Sequence, residues 1–291
     1  MGGSTVATPD LSVVIPTLGR PTLDEQLHAL ARCRWDRPWE VVLADNAGGT
    51  AVADAARRWA GPLPRIRRVD ASDRRGRSHA VNVGARAARG RWLLYVDDDD
   101  LVEADIVAAV GDAFAEGARA VVFNLDVRTI NPPEVWRSSP MAQATESGRP
   151  TFRDLPAVWG CAGVERALFL DLGGFDEDLP YAEDLDFTVR LRDAGIVPTY
   201  LPRQLVHYRL RGDLRGRYRT RLAVAGALAE ISRRHPDVVA PPSGGRWRRL
   251  GHDLVSAMRL APGARHRTGR LLLADRLGDA AGRFRAWGGG R

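Results

Sequence analysis

From Leu11 to Leu201, short apolar runs alternate with longer stretches whose apolar positions recur every three to four residues. Leu11–Ile15 reads as a strand closed by Pro16, Glu40–Ala44 as a second, Ile66–Val69 as a third, Trp92–Val96 as a fourth and Ala120–Leu125 as a fifth. Helical patterns lie between them. One opens at Pro21-Thr22-Leu23 and runs to about Cys33; others cover Ala51–Ala60, Ser78–Arg89 and a segment from about Glu103 to Glu116. Strands separated by helices of this length predict βαβ crossovers and a mostly parallel central sheet flanked by helices. Asn131 to Pro156, rich in Pro, Ser and Gly, reads as a long loop, a feature that is often functional inside a compact domain.

A second block follows that loop. Val158–Val164 is a strand candidate, Glu165–Asp171 a short helix and Gly173-Gly174-Phe175-Asp176 a turn. Ala182–Ala194 is an amphipathic helix ended by Gly195, and Ile196–Leu201 a last strand. Beyond it come a helix over Leu214–Arg233, a Pro/Gly linker over His235–Gly245, and two basic amphipathic stretches, Arg246–Leu260 and Arg265–Trp287.

Composition narrows the class. The chain has 291 residues, 44% of them hydrophobic, enough for one large core or two modest ones. Cys33 and Cys161 are the only cysteines, so neither a disulfide framework nor a zinc knuckle is expected, and a reducing compartment suits them. Met1–Pro9 lacks a basic segment followed by an apolar one, so no secretory leader is expected, and no window approaches the length of a spanning helix. Every basic residue is arginine, which excludes a mechanism built on a catalytic lysine. Residues 207–291 carry 19 arginines and 6 acids; with a total of +7, the preceding 206 residues are net negative by 6. An acidic body thus precedes a basic tail, and the two are expected to do different things.

The candidate chemistry is carboxylate-based. Four aspartates, Asp97 to Asp100, follow directly on the fourth strand. Strand ends are where open α/β sheets place ligands. Four like charges there repel one another, and a hard divalent cation such as Mg²⁺ or Mn²⁺ would remove that cost. An acidic helix start needs one or two aspartates, not four. Asp45-Asn46 ends the second strand, as a contact for a ribose or base or as plain turn chemistry. In Gly76–Gly84, Arg77 suits a phosphate or a stacked base, and Asn82 lies one turn after Ser78, which also suits a helix cap. A second acidic group, Glu183-Asp184 with Asp186, opens the amphipathic helix after Pro180-Tyr181. It fits helix capping, and it equally fits deprotonation of an alcohol nucleophile. His207 follows the last strand, as a structural histidine or a metal ligand. No GxGxxG follows the first strand and no GxxxxGK[ST] occurs.

Taken together, these segments resemble the family 2 glycosyltransferases. The resemblance rests on Leu11–Thr17, on Gly76-x-Ser78-x-Ala80-x-Asn82-x-Gly84, on Trp92–Asp100, on Gly173–Glu177 and on Glu183-Asp184-x-Asp186-Phe187, in that order, and covers roughly residues 10–210. It implies an α/β GT-A fold: a Rossmann-like, mostly parallel sheet flanked by helices, followed here by a basic, mainly α-helical C-terminal extension. It implies a nucleotide-sugar donor, a divalent cation (Mn²⁺ or Mg²⁺) and inversion at the anomeric carbon. Asp97-x-Asp99 maps onto the family's DxD motif. Asp99 is then the main metal ligand, with Asp97 and His207 completing the metal site, and Asp97 or Asp98 lies near the donor ribose. Pro16, Thr17, Asp45 and Arg77 would serve the donor. Asp184 matches the general base, supported by Glu183, and Trp159-Gly160 falls at the acceptor or sugar position. The aspartate run also permits an Asp98-x-Asp100 register, and Ala44-Asp45-Asn46-Ala47 departs from the acids or serine often found there.

The resulting domain expectation is a flexible 1–9, a catalytic 10–206 with a nucleotide-binding half (10–100) and an acceptor half (101–206), and a basic helical 207–291. The expected reaction is hexosyltransferase-like, to a glycan, lipid-linked or small-molecule acceptor. A retaining transferase on the same fold and a non-catalytic carbohydrate-binding or scaffold protein are the alternatives. A sugar-phosphate nucleotidyltransferase would need a glycine-rich loop after the first strand and a lysine, and the chain has neither. The arginine run Arg209, Arg211, Arg215, Arg217, Arg219, Arg221, interleaved with Leu210, Leu214, Tyr218 and Leu222, suits an anionic membrane surface, and equally a solvated face or a homodimer contact. No nucleic-acid partner is expected. A cytoplasmic protein, peripheral on the inner face of the membrane, is the expected setting.

Overall fold

The structure is a computed structural model that describes residues 8–63, 65–139, 151–152, 155–158, 160–237 and 261–288, with Met141, Val255 and Arg259 singly. The apolar runs form strands and the periodic segments form helices. In chain order these are β1 (Leu11–Thr17), α1 (Thr22–Leu30), β2 (Trp39–Asp45), α2 (Ala51–Trp59), β3 (Ile66–Asp70), α3 (Arg77–Ala87), β4 (Trp92–Tyr95), β5 (Leu101–Val102), α4 (Ile106–Ala115) and β6 (Ala120–Asp126). After them come α5 (Pro133–Trp136), β7 (Thr151–Phe152), β8 (Leu155–Pro156), β9 (Ala162–Glu165), α6 (Arg166–Asp171), α7 (Glu183–Asp193), β10 (Thr199–His207), α8 (Leu214–Arg234) and α9 (Arg267–Gly288).

Eight strands form one sheet in the order β3-β2-β1-β4-β9-β6-β10-β5. Every residue of β1 and β2 is buried, because helices cover both faces. Strand alternation sorts the core into two layers. Val13, Ile15, Val41, Leu43 and Leu94 pack with α1, α2 and α4 on one face. Val14, Val42, Leu93 and Tyr95 pack with α3, α6 and α7 on the other. Gly84 lets α3 lie close on the sheet, since a Cβ there would stand 2.5 Å from Val14 Cγ1.

Sheet direction is where local pattern stops being informative. β1 pairs in parallel with β2 and β4, β2 with β3, and β6 with β10, as the crossover pattern predicts. β9, however, returns from the segment after β6 and inserts between β4 and β6, antiparallel to both. α4 starts at Ile106 rather than near Glu103, because Leu101 and Val102 are taken as an edge strand by β10. β10 extends to His207, so that residue ends the strand instead of following it. The expected Asn131–Pro156 loop is not structureless, since it contains α5, β7 and β8, although residues 140, 142–150 and 153–154 lie outside the described residues, as do Trp159 and, apart from Val255 and Arg259, the expected Arg246–Leu260 stretch.

A buried ion pair joins the two C-terminal helices, and its arginine ties them to the body. Arg217 of α8 is 6% exposed and donates from Nε to Asp275 Oδ1 of α9 at 2.9 Å. It also donates to the Ser138 hydroxyl and carbonyl, at 2.8 and 2.9 Å. A buried arginine is tolerable only with its donors satisfied in this way. Arg221 pairs with Asp279 at 2.9 Å one turn further on.

Candidate functional site

β1, β2 and β4 run parallel and end at one edge of the sheet, with Thr17 registered against Asp45 and Val14 against Tyr95. A cavity of about 790 Å³ opens there. Its walls include Pro16 and Thr17, the turn Asp97–Asp99, the start of α7 at Glu183 and Asp184, and Arg211, Thr220 and Val224 from the C-terminal region. The sheet edge therefore supplies one wall and α8 another.

The four aspartates split into two kinds. Asp98 accepts from the Thr17 hydroxyl at 2.7 Å and the Leu18 amide at 3.3 Å, tying the turn to β1. Asp100 is 1% exposed and accepts from the Arg209 amide at 2.8 Å, tying the turn to the segment after β10. Burial drives the Asp98 carboxyl upward, and burial with repulsion from Asp97 drives Asp100 well above the ordinary carboxylate range. Asp97 and Asp99 line the cavity with Asp98, but their carboxylates have arginines as their main partners. Arg77 Nε donates to Asp97 at 2.6 Å, and Arg20 and Arg211 approach Asp99 at 3.4 and 3.7 Å. Burial still raises the Asp97 carboxyl, against the pull of Arg77, and Asp99 and Glu183 add to the rise. Gln26 pins the turn from beneath, donating to the Asp97 carbonyl and accepting from the Val102 amide, each at 3.1 Å.

Arg77 joins the two acidic groups. Besides Asp97, it donates to Glu183 at 2.9 Å and to the Gly160 carbonyl. Its guanidinium lies 5.8 Å from the Phe175 ring centre and 6.0 Å from that of Tyr95. Asp184 sits beside this bridge, half-buried, with Oδ2 accepting from the Gly160 amide at 2.9 Å and Oδ1 from the Leu185 amide at 2.8 Å. Burial, reinforced by Glu183, pushes its pKa up to about 6, although the Gly160 amide and Arg77 oppose the shift. Ala182, with φ of 60°, turns the chain just before these acids so that α7 begins at the cavity rim.

Several residues named from the sequence are not brought to the cavity. Asp45 is fully buried; its oxygens accept from the Ala47 and Gly48 amides at 2.9 and 3.1 Å and from Arg68 at 2.7 Å. Its neighbour Asn46 lines the cavity and holds the 71–76 loop, accepting from the Gly76 amide at 2.9 Å. His207 does not join Asp97 and Asp99: Nδ1 meets Asp126 at 2.8 Å and Nε2 meets Glu103 at 2.7 Å. The two-residue β5 puts Glu103 beside it. Asp186 pairs with Arg190 at 2.8 Å and opens on a separate hollow with Arg234 and His235. Gly160 is at the site through its backbone, while Trp159 lies outside the described residues.

Sequence reasoning passed over Gln26 and Arg20, read Arg211 only as part of the basic run and Glu177 only as the end of a motif. Glu177 accepts from Asn82 at 2.9 Å and meets His79 at 2.8 Å, so the Gly173–Glu177 turn is held by α3. Gly174 has φ of +69° and would place a Cβ 2.5 Å from Asn82 Oδ1, which explains the paired glycines. The spacing of Asn82 and the double glycine was a legible signal; the arginines carried none beyond their charge.

Among the described residues, no three of His, Cys, Asp or Glu converge to hold a metal ion by themselves. Two buried-edge carboxylates, Asp97 and Asp99, fit a different kind of site. Magnesium-type ions are commonly held by one or two carboxylates completed by substrate phosphates and water.

The architecture is a GT-A fold. The mannosyltransferase PcManGT from Pyrobaculum calidifontis, solved with GDP-Man and Mn²⁺, superposes with a TM-score of 0.66 at 22% identity, over 98% of this chain and 89% of that one. The family model described as glycosyl transferase family 2 matches residues 12–173, more than half of the chain, and the protein belongs to that family. A validoxylamine A glucosyltransferase of Streptomyces hygroscopicus subsp. limoneus is 30% identical over 233 residues, 68% of this chain. The succinoglycan biosynthesis protein ExoO of Rhizobium meliloti (strain 1021) is 38% identical over 119 residues, 40% of this chain. The matched segments cover 51% and 32% of those two relatives, so the chain spans about half of their length or less. No helix among the described residues is long and apolar enough to cross a membrane.

Proposed function

We propose that the protein transfers a sugar from a nucleotide-sugar donor to an acceptor hydroxyl by single displacement, with inversion at the anomeric carbon. The observation that carries this reading is the convergence of two acidic groups, Asp97–Asp99 and Glu183–Asp184, on one cavity, bridged by Arg77. A non-catalytic binding module has no use for a half-buried carboxylate poised near pH 6 on the second group.

In this reading Asp184 accepts the proton of the acceptor hydroxyl. The acceptor oxygen bonds to C1 from one face as the C1–O bond to the diphosphate breaks on the other, and the electron pair leaves on the diphosphate. The Gly160 and Leu185 amides hold both oxygens of Asp184, which fixes its aim. Glu183 and Arg77 are positioning residues: the ion pair holds the α7 start against the aspartate turn. Asp97 and Asp99 are the residues that would hold a divalent cation, and Asp98 and Asp100 brace them, which favours the Asp97-x-Asp99 register. When bound, such a cation would neutralise the diphosphate and make it a better leaving group. Thr17, Pro16 and Asn46 border the donor side; Asp45 supports Asn46 from below.

The division of labour that follows is a catalytic 10–206, its first half serving the donor, with 207–291 acting as a wall of the acceptor side through α8. That wall lies beyond the family-matched segment, so acceptor choice is a property of this chain rather than of the family. The buried thiols Cys33 and Cys161 suit a cytoplasmic setting.

The test is a thermal-shift series with UDP-, GDP-, TDP- and CDP-sugars, with and without Mn²⁺. One nucleotide class should raise the melting temperature only when Mn²⁺ is present, Mn²⁺ alone should not, and Asp99→Ala should abolish the effect. No shift with any donor, or a shift unchanged in Asp99→Ala, refutes the donor site. Product stereochemistry by NMR then separates inversion from retention.

A further inference from the structure

The arginine-dense segment Arg209–Arg221 draws attention in the sequence, yet much of it is turned inward. Arg209 is bound to the aspartate turn and to Glu25, Arg217 is buried against Asp275, and Arg221 pairs with Asp279. Arg215 and Arg219 of α8 remain exposed, but among the described residues α9 also presents an outward basic face. This helix contains two acids, Asp275 and Asp279, and both are buried and engaged by α8. Its outer face is therefore free of negative charge.

That face is also apolar along its centre. Leu277 and Phe284 are seven residues apart and so share one line along the helix, which Arg270 closes at its N-terminal end. Leu277 is 42% exposed and Phe284 55%. Leu273, one turn before Leu277, is half-buried beside them. Arg270, Arg276 and Arg285 are exposed and rim the stripe. Gly278 and Gly282 lie on the opposite side, against the backbone of α8 at Tyr218 and Leu222. An apolar stripe with an arginine rim and no acid is the pattern of a helix that lies in a membrane interface.

We propose that the outer face of α9 docks the protein on an anionic phospholipid surface, with Leu277 and Phe284 entering the headgroup–acyl boundary and Arg270, Arg276 and Arg285 meeting lipid phosphates. Charge complementarity selects this occupant over a second copy of the chain. A two-fold contact would set this face against itself, arginine against arginine, with no acid to receive them. The docking face points away from α8, whose other side lines the cavity, so docking leaves the cavity accessible. The inference is independent of the proposed transfer chemistry.

Flotation of the full chain with vesicles tests it, using phosphatidylcholine alone or with about one-third phosphatidylglycerol. Binding should require the anionic lipid. It should fall by about fivefold for each rim arginine changed to glutamine, and weaken as the Debye length shrinks below about 10 Å with added salt. The double variant Leu277→Glu/Phe284→Glu should lose binding while keeping its melting temperature and its donor-induced shift. Should that variant fail to fold, Arg270→Gln/Arg276→Gln/Arg285→Gln, all at exposed positions, carries the same test. Equal binding to both vesicle types, no binding to either, or unchanged binding by both variants overturns the proposal. A wild-type dimer that the double variant converts to monomer also overturns it and assigns the face to a second copy.

Discussion

Replacing Asp184 by asparagine should remove the proposed base while disturbing the fold little, and the structure supplies both sides of that balance. The ionised carboxylate costs the fold free energy: its pKa rises from an ordinary 3.8 to about 6, which corresponds to about 3 kcal/mol at neutral pH. Asparagine relieves that cost, but it has one carbonyl oxygen for two amide donors, Gly160 and Leu185. Leaving one buried donor unpaired costs about 1–3 kcal/mol. The two terms are of similar size and opposite sign, so the melting temperature should move by no more than a few degrees. Activity should not be spared. General-base catalysis contributes about 10²–10⁴-fold, or about 3–5 kcal/mol of barrier. kcat should fall by that factor while donor affinity changes by less than about threefold, as the proposed role of Asp184 toward the acceptor hydroxyl requires. The pH profile is the sharper assay. In the wild type kcat/KM should drop tenfold per pH unit below about 6, where Asp184 is protonated, and level off above it. The variant should lose that acid limb. A variant with more than a tenth of wild-type kcat, or one that keeps an acid limb near 6, refutes the assignment of Asp184 as base. Stability runs the other way. The folded pKa lies above the unfolded one, so the cost of this carboxylate is absent below the unfolded pKa and complete above about 6.

Two further substitutions probe the scaffold. Arg77→Gln strips the partner from Asp97 and Glu183 together and should destabilise by about 3–5 kcal/mol, as breaking a buried pair does. Without Arg77 the Asp97 carboxyl rises further, so the loss seen by denaturant melts should be largest at neutral pH and shrink on acidification toward 4; a loss independent of pH contradicts the bridge. Gly84→Ala places a methyl 2.5 Å from Val14 Cγ1 and should cost about 1–3 kcal/mol by overpacking, read as a lower urea midpoint with unchanged slope.

Local pattern made much of this protein legible. β1, β2 and β4 are apolar runs whose ends the sequence marks with Pro16, Asp45-Asn46 and Asp97–Asp100, and all three ends meet at the cavity edge. The acids opening α7 were visible as an Asp/Glu cluster after a turn, and they do reach the same cavity. What was not legible is which charged group each side chain meets. Arg77 was read as a phosphate ligand, yet it is engaged by Asp97 and by Glu183, 106 positions away. Asp45 and Asn46 are adjacent and both polar, but the first is sealed behind Arg68 and the second borders the cavity. His207 looked like a third ligand until β5, two residues long, put Glu103 against its ring. The basic tail divides for the same reason: Arg217 and Arg221 of α8 turn inward onto Asp275 and Asp279, and that pairing leaves the outer face of α9 without an acid.

The sequence by itself determined the main strands and helices, their order, and the two places where carboxylates gather, because hydrophobic period, strand ends and turn residues act within a few positions of one another; the short β5, α5, β7 and β8 escaped it. Tertiary structure alone decided the antiparallel insertion of β9, the partners of Arg77, Asp45 and His207, and which helix faces solvent. Those outcomes depend on segments tens to a hundred residues apart being packed within about 3 Å, the reach of a hydrogen bond, and no local pattern encodes that distance.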